Sequence, residues 1–520
     1  MTRVGVFGWG VVAPRSPDIA AFANNLAGSE TWLGPFNGFG PDNFLVGWPE
    51  FDFERYRPWV EARFPPSRFH QLQSKMGTPT QYTIGCFIQA LEQNPGLENE
   101  LHRLDTGTHV YIGTGVGDIP TTFDESIALY HAQRRWDRFW SDPCRNSALA
   151  QWERSGRPAD GVPPHPETAS LDERDQTESR WWHYWASRSP ELKAYLEELR
   201  AIESANVEGD IETGKLHMIK HKQRQTVKLR EKWGTPEPPW RSVSPNVIWN
   251  IHNTPASQIS MLGRFHGFSI APIGACATFG VCLKLAVDAI RRGEAKAVVV
   301  GATEPTPHPI VVGSMFGARV LAADAAVSMP LHGLRGTHVS GGAVLWIVGD
   351  WDHMTAKGFK PLGMEVLAVG VSNDAHHIIT PSKEGPLLAV RGAIAEAGVQ
   401  PADVTSWDLH ATATPGDYLE VENLLEVVSG SVLVTARKGT FGHGMGAGGG
   451  WELTAQYLGA EQGTIFPTPL AEQQLHPAIR GLHQYFVYDE ACRIRPGVAG
   501  KLSMGVGGVN ACIISRPLAR

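Results

Sequence analysis

Cysteine is scarce: six in 520 residues, and no two are spaced as CxxC. That excludes a disulfide framework and a cysteine-based zinc site, and it points to a reducing, cytoplasmic compartment. Long apolar runs are missing too. The amino-terminal stretch MTRVGVFGWGVVAPRSPD is too short to span a bilayer, lacks a signal-peptide cleavage pattern and meets Pro14 early. It reads as a buried first strand, and no membrane span is expected. There is no basic excess: 46 Lys and Arg stand against 53 Asp and Glu, for a net charge of −7. A nucleic-acid partner is therefore not expected. No GxSxG occurs, which leaves a nucleophile-elbow serine hydrolase unsupported. No heptad or solenoid repeat is visible. What is plentiful is glycine (56) and proline (37), the mark of many tight turns.

Three regions differ in composition. Residues 1–118 are apolar and glycine-punctuated, with strand-like runs at Val4–Phe7 and His109–Ile112. Residues 119–240 are polar and charged, yet hold eight of the seventeen tryptophans. Residues 241–520 alternate short apolar runs, helical patterns and glycine turns, which predicts an α/β fold with sheets covered by helices. In the middle region, Ser189-Pro190-Glu191 is a helix start with Ser at the N-cap and Pro at N1. After it Leu192, Tyr195, Leu196, Leu199 and Ile202 share one face. The region 119–240 is thus expected to be a mostly helical insertion. Its basic run (Lys215, Lys220, Lys222, Arg224, Lys228, Arg230, Lys232) reads as a solvated helix face, the other reading being a docking patch for an acidic partner. A strand, glycine turn, helix and strand recur around 271–301 and 431–515, which hints at two similar halves.

One cysteine has an unusual address. Apolar Phe268–Ile273 leads into Gly274-Ala275-Cys276; then Val281, Leu285, Ala286, Ala289 and Ile290 take helical spacing, and Gly293 supplies the stop. Cys276 therefore sits at a strand-to-helix turn. The unpaired N–H groups there are expected to favour the thiolate and lower the thiol pKa. Small neighbours leave room for a substrate. The plainer reading is a buried cysteine acting as a small apolar side chain, and Cys282 on the same helix fits that description. A thiolate nucleophile needs partners for proton and charge. Two histidines qualify: His410 in DLHATATPGD, at the end of a strand-like run, and His443 in ARKGTFGHGMGAGGGWE, a glycine-rich loop after the strand Val432–Val434.

Taken together, GACAT, HATATPGD, KGTFGHGMGAGGGWE and LSMGVGGVN resemble, in order and rough spacing, the β-ketoacyl-acyl carrier protein synthases, condensing enzymes of the thiolase superfamily. FGWGVVAP, GTGVG at 113–117 and GATEPTPHP add to the resemblance, which takes in about 400 residues, all but 119–240. It implies a thiolase-like five-layer αβαβα architecture built from two pseudo-repeated halves, 1–325 (with the insertion) and 326–520. It implies a decarboxylative Claisen condensation at a Cys-His-His site. Cys276 would take the acyl group; His410 and His443 would bind the malonyl thioester carbonyl and stabilise the enolate. The N–H groups of Cys276 and Val506 would form the oxyanion hole. Lys438 and Glu452, five residues before and nine after His443, would support that loop. Thr412 and Thr414 would contact a pantetheine arm, and Met504 and Val506 would line the acyl pocket. The implied partners are acyl carrier protein, malonyl and acyl thioesters, and a second copy of the chain in a homodimer, or a related subunit in a heterodimer. No resident cofactor or metal is implied; phosphopantetheine would arrive on the carrier protein or coenzyme A.

The chain departs from that pattern in four places. HATATPGD is one residue short between Pro415 and Asp417. LRGTHVSGGAVLWIV has Gly336 and Gly342 where acids are usual. Met504 and Val506 replace phenylalanines, one of which gates the acyl pocket. The insertion is foreign to the basic enzyme, and it leaves the chain just before SPNVIWNIHNTPASQISMLGRFHG, a segment resembling the dimer contact, so it is expected near the interface and the entrance. Other readings compete. Gly8–Ala13 fits GxGxxA, and Gly444, Gly446 and Gly449 fit GxGxxG, but no acid-ended strand follows at the dinucleotide spacing. Cys512 is not in the CxGG loop of a thiolase. A non-elongating acyltransferase and a non-catalytic partner subunit remain as alternatives.

Overall fold

A computed structural model describes residues 2–518 except Asp42, Asp160, 205–210, Asp324, Leu334 and Ser429, with the backbone alone at 211–216. Two compact units make up the chain: Met1–Pro120 with Ile248–Arg520, and Thr121–Val247.

The first unit is built on ten strands: β1 (Val4–Val12), β2 (Thr108–Gly113), β3 (Ser269–Ile270), β4 (Ala297–Glu304), β5 (Gly342–Asp350), β6 (Leu362–Asn373), β7 (Val404–Asp408), β8 (Leu433–Thr435), β9 (Val498–Gly505) and β10 (Val509–Pro517). Their order across the sheet is β8-β7-β9-β10-β6-β1-β5-β4-β2-β3. Starting from the middle, β1-β5-β4-β2-β3 and β6-β10-β9-β7-β8 repeat one scheme. In each, two antiparallel pairings are followed by two parallel ones. A short antiparallel contact, Val4 opposite Val366 and Gly5 opposite Glu365, joins the halves into one hydrogen-bonded sheet. The boundary read from the sequence at 325/326 precedes β5; the chain passes between the halves through the short helix Trp351–Ala356.

Seven helices matter for the layers: α1 (Thr78–Glu92), α2 (Thr254–Gly263), α3 (Thr278–Arg291), α4 (Glu384–Ala397), α5 (Gly416–Val427), α6 (Lys438–Phe441) and α7 (Met445–Gln462). Helices α1 and α2 cover the outer face of the first half, and α4, with α5 packed against it, that of the second. Helices α3 and α7 touch each other and strands of both halves, so they form the middle layer of a five-layer αβαβα stack. Strands covered on both faces read as continuous apolar runs rather than alternating ones; β1, VGVFGWGVV, is buried at every residue. Its glycines have a packing reason. A Cβ at Gly8 would lie 2.3 Å from the Ala90 carbonyl oxygen, and one at Gly10 would lie 2.0 Å from that of Cys86. Helix α1 can approach β1 only over glycine, which accounts for the GxGxxA pattern without a dinucleotide. Cys282, on α3, points into the core as an apolar residue would.

The second unit is helical: the rest of Ile119–Trp140, then Ser147–Arg154, Arg174–Ala186, Pro190–Ser204 and Ile211–Trp233. Its tryptophans form two small cores. Trp136 and Trp140 pack with Tyr195, Leu199 and Leu229; Trp181 and Trp185 pack with Leu149 and Trp152. Buried Asn146 caps the second helix through Leu149 N (3.0 Å) and donates to the Trp140 and Trp185 carbonyls, both at 2.8 Å, tying the two cores together. Ser189 Oγ accepts from Leu192 N at 3.1 Å, the cap expected there. The Lys215 side chain lies outside the described residues. Of the rest of the basic run, Lys232 bonds Glu198 and Arg230 pairs with Glu237. No described helix is long and apolar enough to cross a membrane.

Candidate active site

Cys276, His410 and His443 come from three distant segments and line one cavity of about 500 Å³, together with Thr412, Thr414, Met504 and Val506. Each segment reaches it through a strained turn. Ala275 (φ +47°), Ala413 (φ +59°) and Met445 (φ +45°) sit in the left-handed region, each within three residues of a site side chain. Such outliers persist only where the surroundings enforce them.

Cys276 lies in a one-turn 3-10 helix, Ala275–Ala277, just ahead of α3 rather than on it. Thr278 Oγ1 accepts from Gly274 N (3.0 Å) and donates to Ala275 O (2.7 Å), which holds the turn. Gly505 presses on it: a Cβ there would meet Gly274 O at 2.5 Å. The N–H groups of Val506 and of Cys276 itself lie against the sulfur. These donors do not win. Burial pushes the thiol up to about 11, with Lys438 and the two N–H groups opposing and Glu304 adding to the rise. The lowered thiol pKa expected from the helix terminus is therefore corrected: desolvation outweighs the dipole.

His410 follows β7, and its main chain is held on both sides. Glu420 Oε1 accepts its N–H at 2.7 Å, and Lys438 Nζ donates to its carbonyl. The two imidazoles stand edge to face, 5.5 Å between centroids and 80° between planes. Burial, then Lys438, holds both well below the ordinary histidine range; Lys501 acts on each in the same direction. Both are neutral at pH 7. His443 Nδ1 is buried without a hydrogen-bond partner among the described residues. The Lys438–Glu452 pair read from the sequence exists, at 2.7 Å, fully enclosed.

The departures from the family pattern find physical reasons. Gly336 has φ +97°, and a Cβ on it would lie 2.6 Å from the Leu321 carbonyl carbon; Gly342 has φ +138°, with a Cβ 2.2 Å from Val12 O. Acids fit at neither position. The segment still serves the site: His443 N donates to His338 O at 2.6 Å, and Ser340 N donates to His443 O at 3.0 Å. The shortened turn is closed by Asp417, which accepts from Thr412 N, Ala413 N and Leu331 N. Thr412 and Thr414 bond each other through their hydroxyls at 2.9 Å. Val506 is 52% exposed, and Met504 packs partly against the core of the second half. In α7, Gly446 and Gly449 leave room for Glu304 and Ser503, so the GxGxxG there is a packing motif as well.

Sequence reasoning missed four residues, three of them in one buried cluster. Lys501, Asp408 and Arg437 are buried beside the Lys438–Glu452 pair. Lys501 Nζ lies 2.9 Å from Glu452 Oε2 and 3.7 Å from Asp408 Oδ1; Arg437 Nε lies 3.3 Å from Asp408 Oδ2. The available signal was a lone lysine inside the otherwise apolar strand VAGKLSMG. Glu304 was missed too. It accepts from Gly115 N, Val116 N and Gly446 N, joining the GTGVG turn to the start of α7.

Two family models match the chain: Beta-ketoacyl synthase, N-terminal domain, over residues 200–348, and Beta-ketoacyl synthase, C-terminal domain, over 364–471. Just under half of the chain thus resembles the β-ketoacyl synthase family. Cys276 lies in the first match, and His410, Lys438, His443 and Glu452 lie in the second; Lys501, Met504 and Val506 lie beyond both. The first match begins inside the helical unit and leaves residues 1–199 out, whereas the motif resemblance takes in 1–118 and leaves out 119–240. Among relatives, Nodulation protein E of Rhizobium sp. (strain N33) is 30% identical over 41% of this chain and 54% of its own length. The chloroplastic 3-oxoacyl-[acyl-carrier-protein] synthase I of Arabidopsis thaliana is 29% identical over 50% and 55%. The chain thus spans about half the length of these relatives. Among solved structures, the ishigamide ketosynthase/chain length factor superposes with TM-score 0.68 at 17% identity, covering 100% of both chains. A type II polyketide acyl-carrier protein in complex with its ketosynthase (AntDE:AntF) gives 0.64 at 16%, over 99% of this chain and 100% of that one. At such identities the likeness is one of fold, and the fold is thiolase-like.

Proposed function

We propose that the chain is a β-ketoacyl synthase, an acyltransferase that joins an acyl group to a malonyl-type thioester in fatty acid, polyketide or specialised metabolite biosynthesis. The observation that carries this reading is the convergence of Cys276 and two neutral, edge-to-face imidazoles on one cavity. Cys276 sulfur attacks the acyl thioester carbonyl; the new S–C bond forms as the carrier thiol leaves. The N–H groups of Cys276 and Val506 hold the acyl oxygen. A malonyl-type thioester then places its carbonyl oxygen against the histidines. Its bond to the carboxylate breaks, CO2 leaves, and the electron pair becomes an enolate held by imidazole N–H groups. The enolate carbon attacks the acyl-cysteine, forms the new C–C bond and expels the Cys276 sulfur. Neutral imidazoles suit this step because they donate a hydrogen bond without protonating the enolate. Lys438 and Glu452 fix the His443 loop, and Thr412 and Thr414 contact the pantetheine arm.

No resident cofactor takes part; the phosphopantetheine belongs to the substrate. The partner supported best is an acyl carrier protein, as in the AntDE:AntF neighbour, acting on a homodimer in the cytoplasm. The test is intact-protein mass and product analysis with acyl thioesters and a malonyl carrier protein, with Cys276→Ala alongside. An acyl adduct on the wild type alone, followed by CO2 and a β-keto product two carbons longer, is expected. An adduct without decarboxylation would replace the reading with an acyltransferase. No adduct with any thioester would refute Cys276 as nucleophile.

A further inference from the structure

Lys501 is the one charged residue of β9 and is fully enclosed. Its ammonium group and that of Lys438 divide one carboxylate: Lys438 takes Glu452 Oε1 at 2.7 Å and Lys501 takes Oε2 at 2.9 Å. They also take consecutive carbonyls. Lys438 donates to His410 O, and Lys501 donates to Leu409 O at 3.4 Å. Behind them, Asp408 is shared between Lys501 at 3.7 Å and Arg437 at 3.3 Å. Glu420, which takes the His410 N–H, also acts on Lys501, so three cations and three carboxylates are buried together. Buried ion clusters of this kind contribute little to stability, so their presence calls for a role beyond folding. The site next to them is where negative charge is to form.

We propose that Lys501 is a positioning residue for the proposed condensation: it clamps the Leu409–His410 segment and supplies a second fixed positive charge close to both imidazoles. This rests on the reading of the reaction given above. The groups facing His410 are Lys438, His443 and Lys501, with Glu420 on its N–H; those facing His443 are His410, Lys438 and Lys501. Lys501 is held charged by Glu452, Asp408 and Glu420 against the opposing effect of burial. Removing its charge makes protonation of either histidine easier.

The test uses Lys501→Met and Lys501→Arg in the full chain. Imidazole titration by nitrogen-15 NMR needs no substrate. Its midpoint for His410 or His443 is expected to rise by about one pH unit in K501M and to stay near wild type in K501R. In malonyl-thioester decarboxylation, K501M is expected to lose about tenfold in kcat with KM nearly unchanged, and its acid limb to move to higher pH. Wild-type imidazole titration together with wild-type kcat in K501M would overturn the proposal. If K501M does not fold, the double variant K501M/D408N removes both charges together. It is expected to keep the kcat loss, because Leu409 O is still unclamped, and a wild-type kcat there would overturn the proposal. A wild type that neither acylates Cys276 nor releases CO2 would refute the reaction, while the imidazole titration would still decide whether Lys501 acts on the histidines.

Discussion

The thiol of Cys276 offers the sharpest check on how burial and a helix terminus compete. At an ordinary value of 9.0 a thiol is about 9% thiolate at pH 8; at about 11 it is about 0.1%. Alkylation of Cys276 by iodoacetamide should therefore run about ninety-fold slower at pH 8 than the intrinsic thiol allows. Its rate should climb about tenfold per pH unit to pH 10 without levelling. Exposed Cys144 in the same sample serves as the reference, each site being read by peptide mass spectrometry. Two variants move the curve in opposite directions. Lys438→Met removes a charge that favours the thiolate and shifts the midpoint up; Glu304→Gln removes one that disfavours it and shifts the midpoint down. A plateau below pH 9 in the wild type would refute the reasoning, because the terminal N–H groups would then outweigh desolvation. The consequence for catalysis is direct: the thiol meets its substrate protonated, and the neutral imidazoles across the cavity are the groups able to take the proton.

Glu304 is raised to about 7 by burial, so it binds a proton more readily folded than unfolded. Its contribution is full below about pH 4.5 and is lost as pH rises through 7; relative to Glu304→Gln, wild-type stability should drop by about 3 kcal/mol between pH 5 and 8, read by denaturant titration of both proteins. Gly10→Ala places a Cβ 2.0 Å from the Cys86 carbonyl oxygen of α1, and should cost about 3 kcal/mol or more, visible as a lowered thermal midpoint; a neutral result would mean α1 can shift freely. Gly336→Asp, which installs the acid usual in the family, meets φ +97° and a backbone contact of 2.6 Å. It should lower condensation and thermal midpoint together, and wild-type activity would show that the 336 turn is not coupled to the site.

Much of the site was legible because its residues stand out locally. Cys276, His410 and His443 are reactive side chains set among small residues at the ends of short apolar runs. Lys438 and Glu452 lie five before and nine after His443, close enough to be read with it. The halves were visible as a repeated strand-turn-helix pattern, but the pairing of Val4 with Val366 was not, since 362 residues separate them. Lys501, Asp408 and Arg437 escaped for the same reason. Asp408 and Arg437 look like ordinary strand-end charges, Lys501 is a single charge within an apolar strand, and only the parallel pairing of β9 with β7, and of β7 with β8, brings them together. The thiol of Cys276 was misjudged because a terminus is a local feature and burial is not. The sequence displays the donors; the loop around Gly505 and Val506 that packs against the sulfur arrives from 230 residues away.

The buried charges explain why this part of the molecule is built against stability. Replacing a buried ion pair by apolar side chains of like volume is commonly neutral or stabilising, by about 1–4 kcal/mol. Arg437, Lys438 and Lys501 with Asp408, Glu452 and Glu420 therefore contribute little that a packed apolar core would not. What an apolar core could not supply is direction. Each lysine ends on a carbonyl next to or within His410, Glu420 takes the His410 N–H, and His338 and Ser340 bracket the main chain of His443. Both imidazoles are consequently fixed before any substrate enters, and they are kept neutral first by burial and then by the fixed charges of Lys438 and Lys501. In the proposed condensation the enolate gains from donors that are already oriented, because no reorganisation is left to be done at the moment the carbon–carboxylate bond breaks.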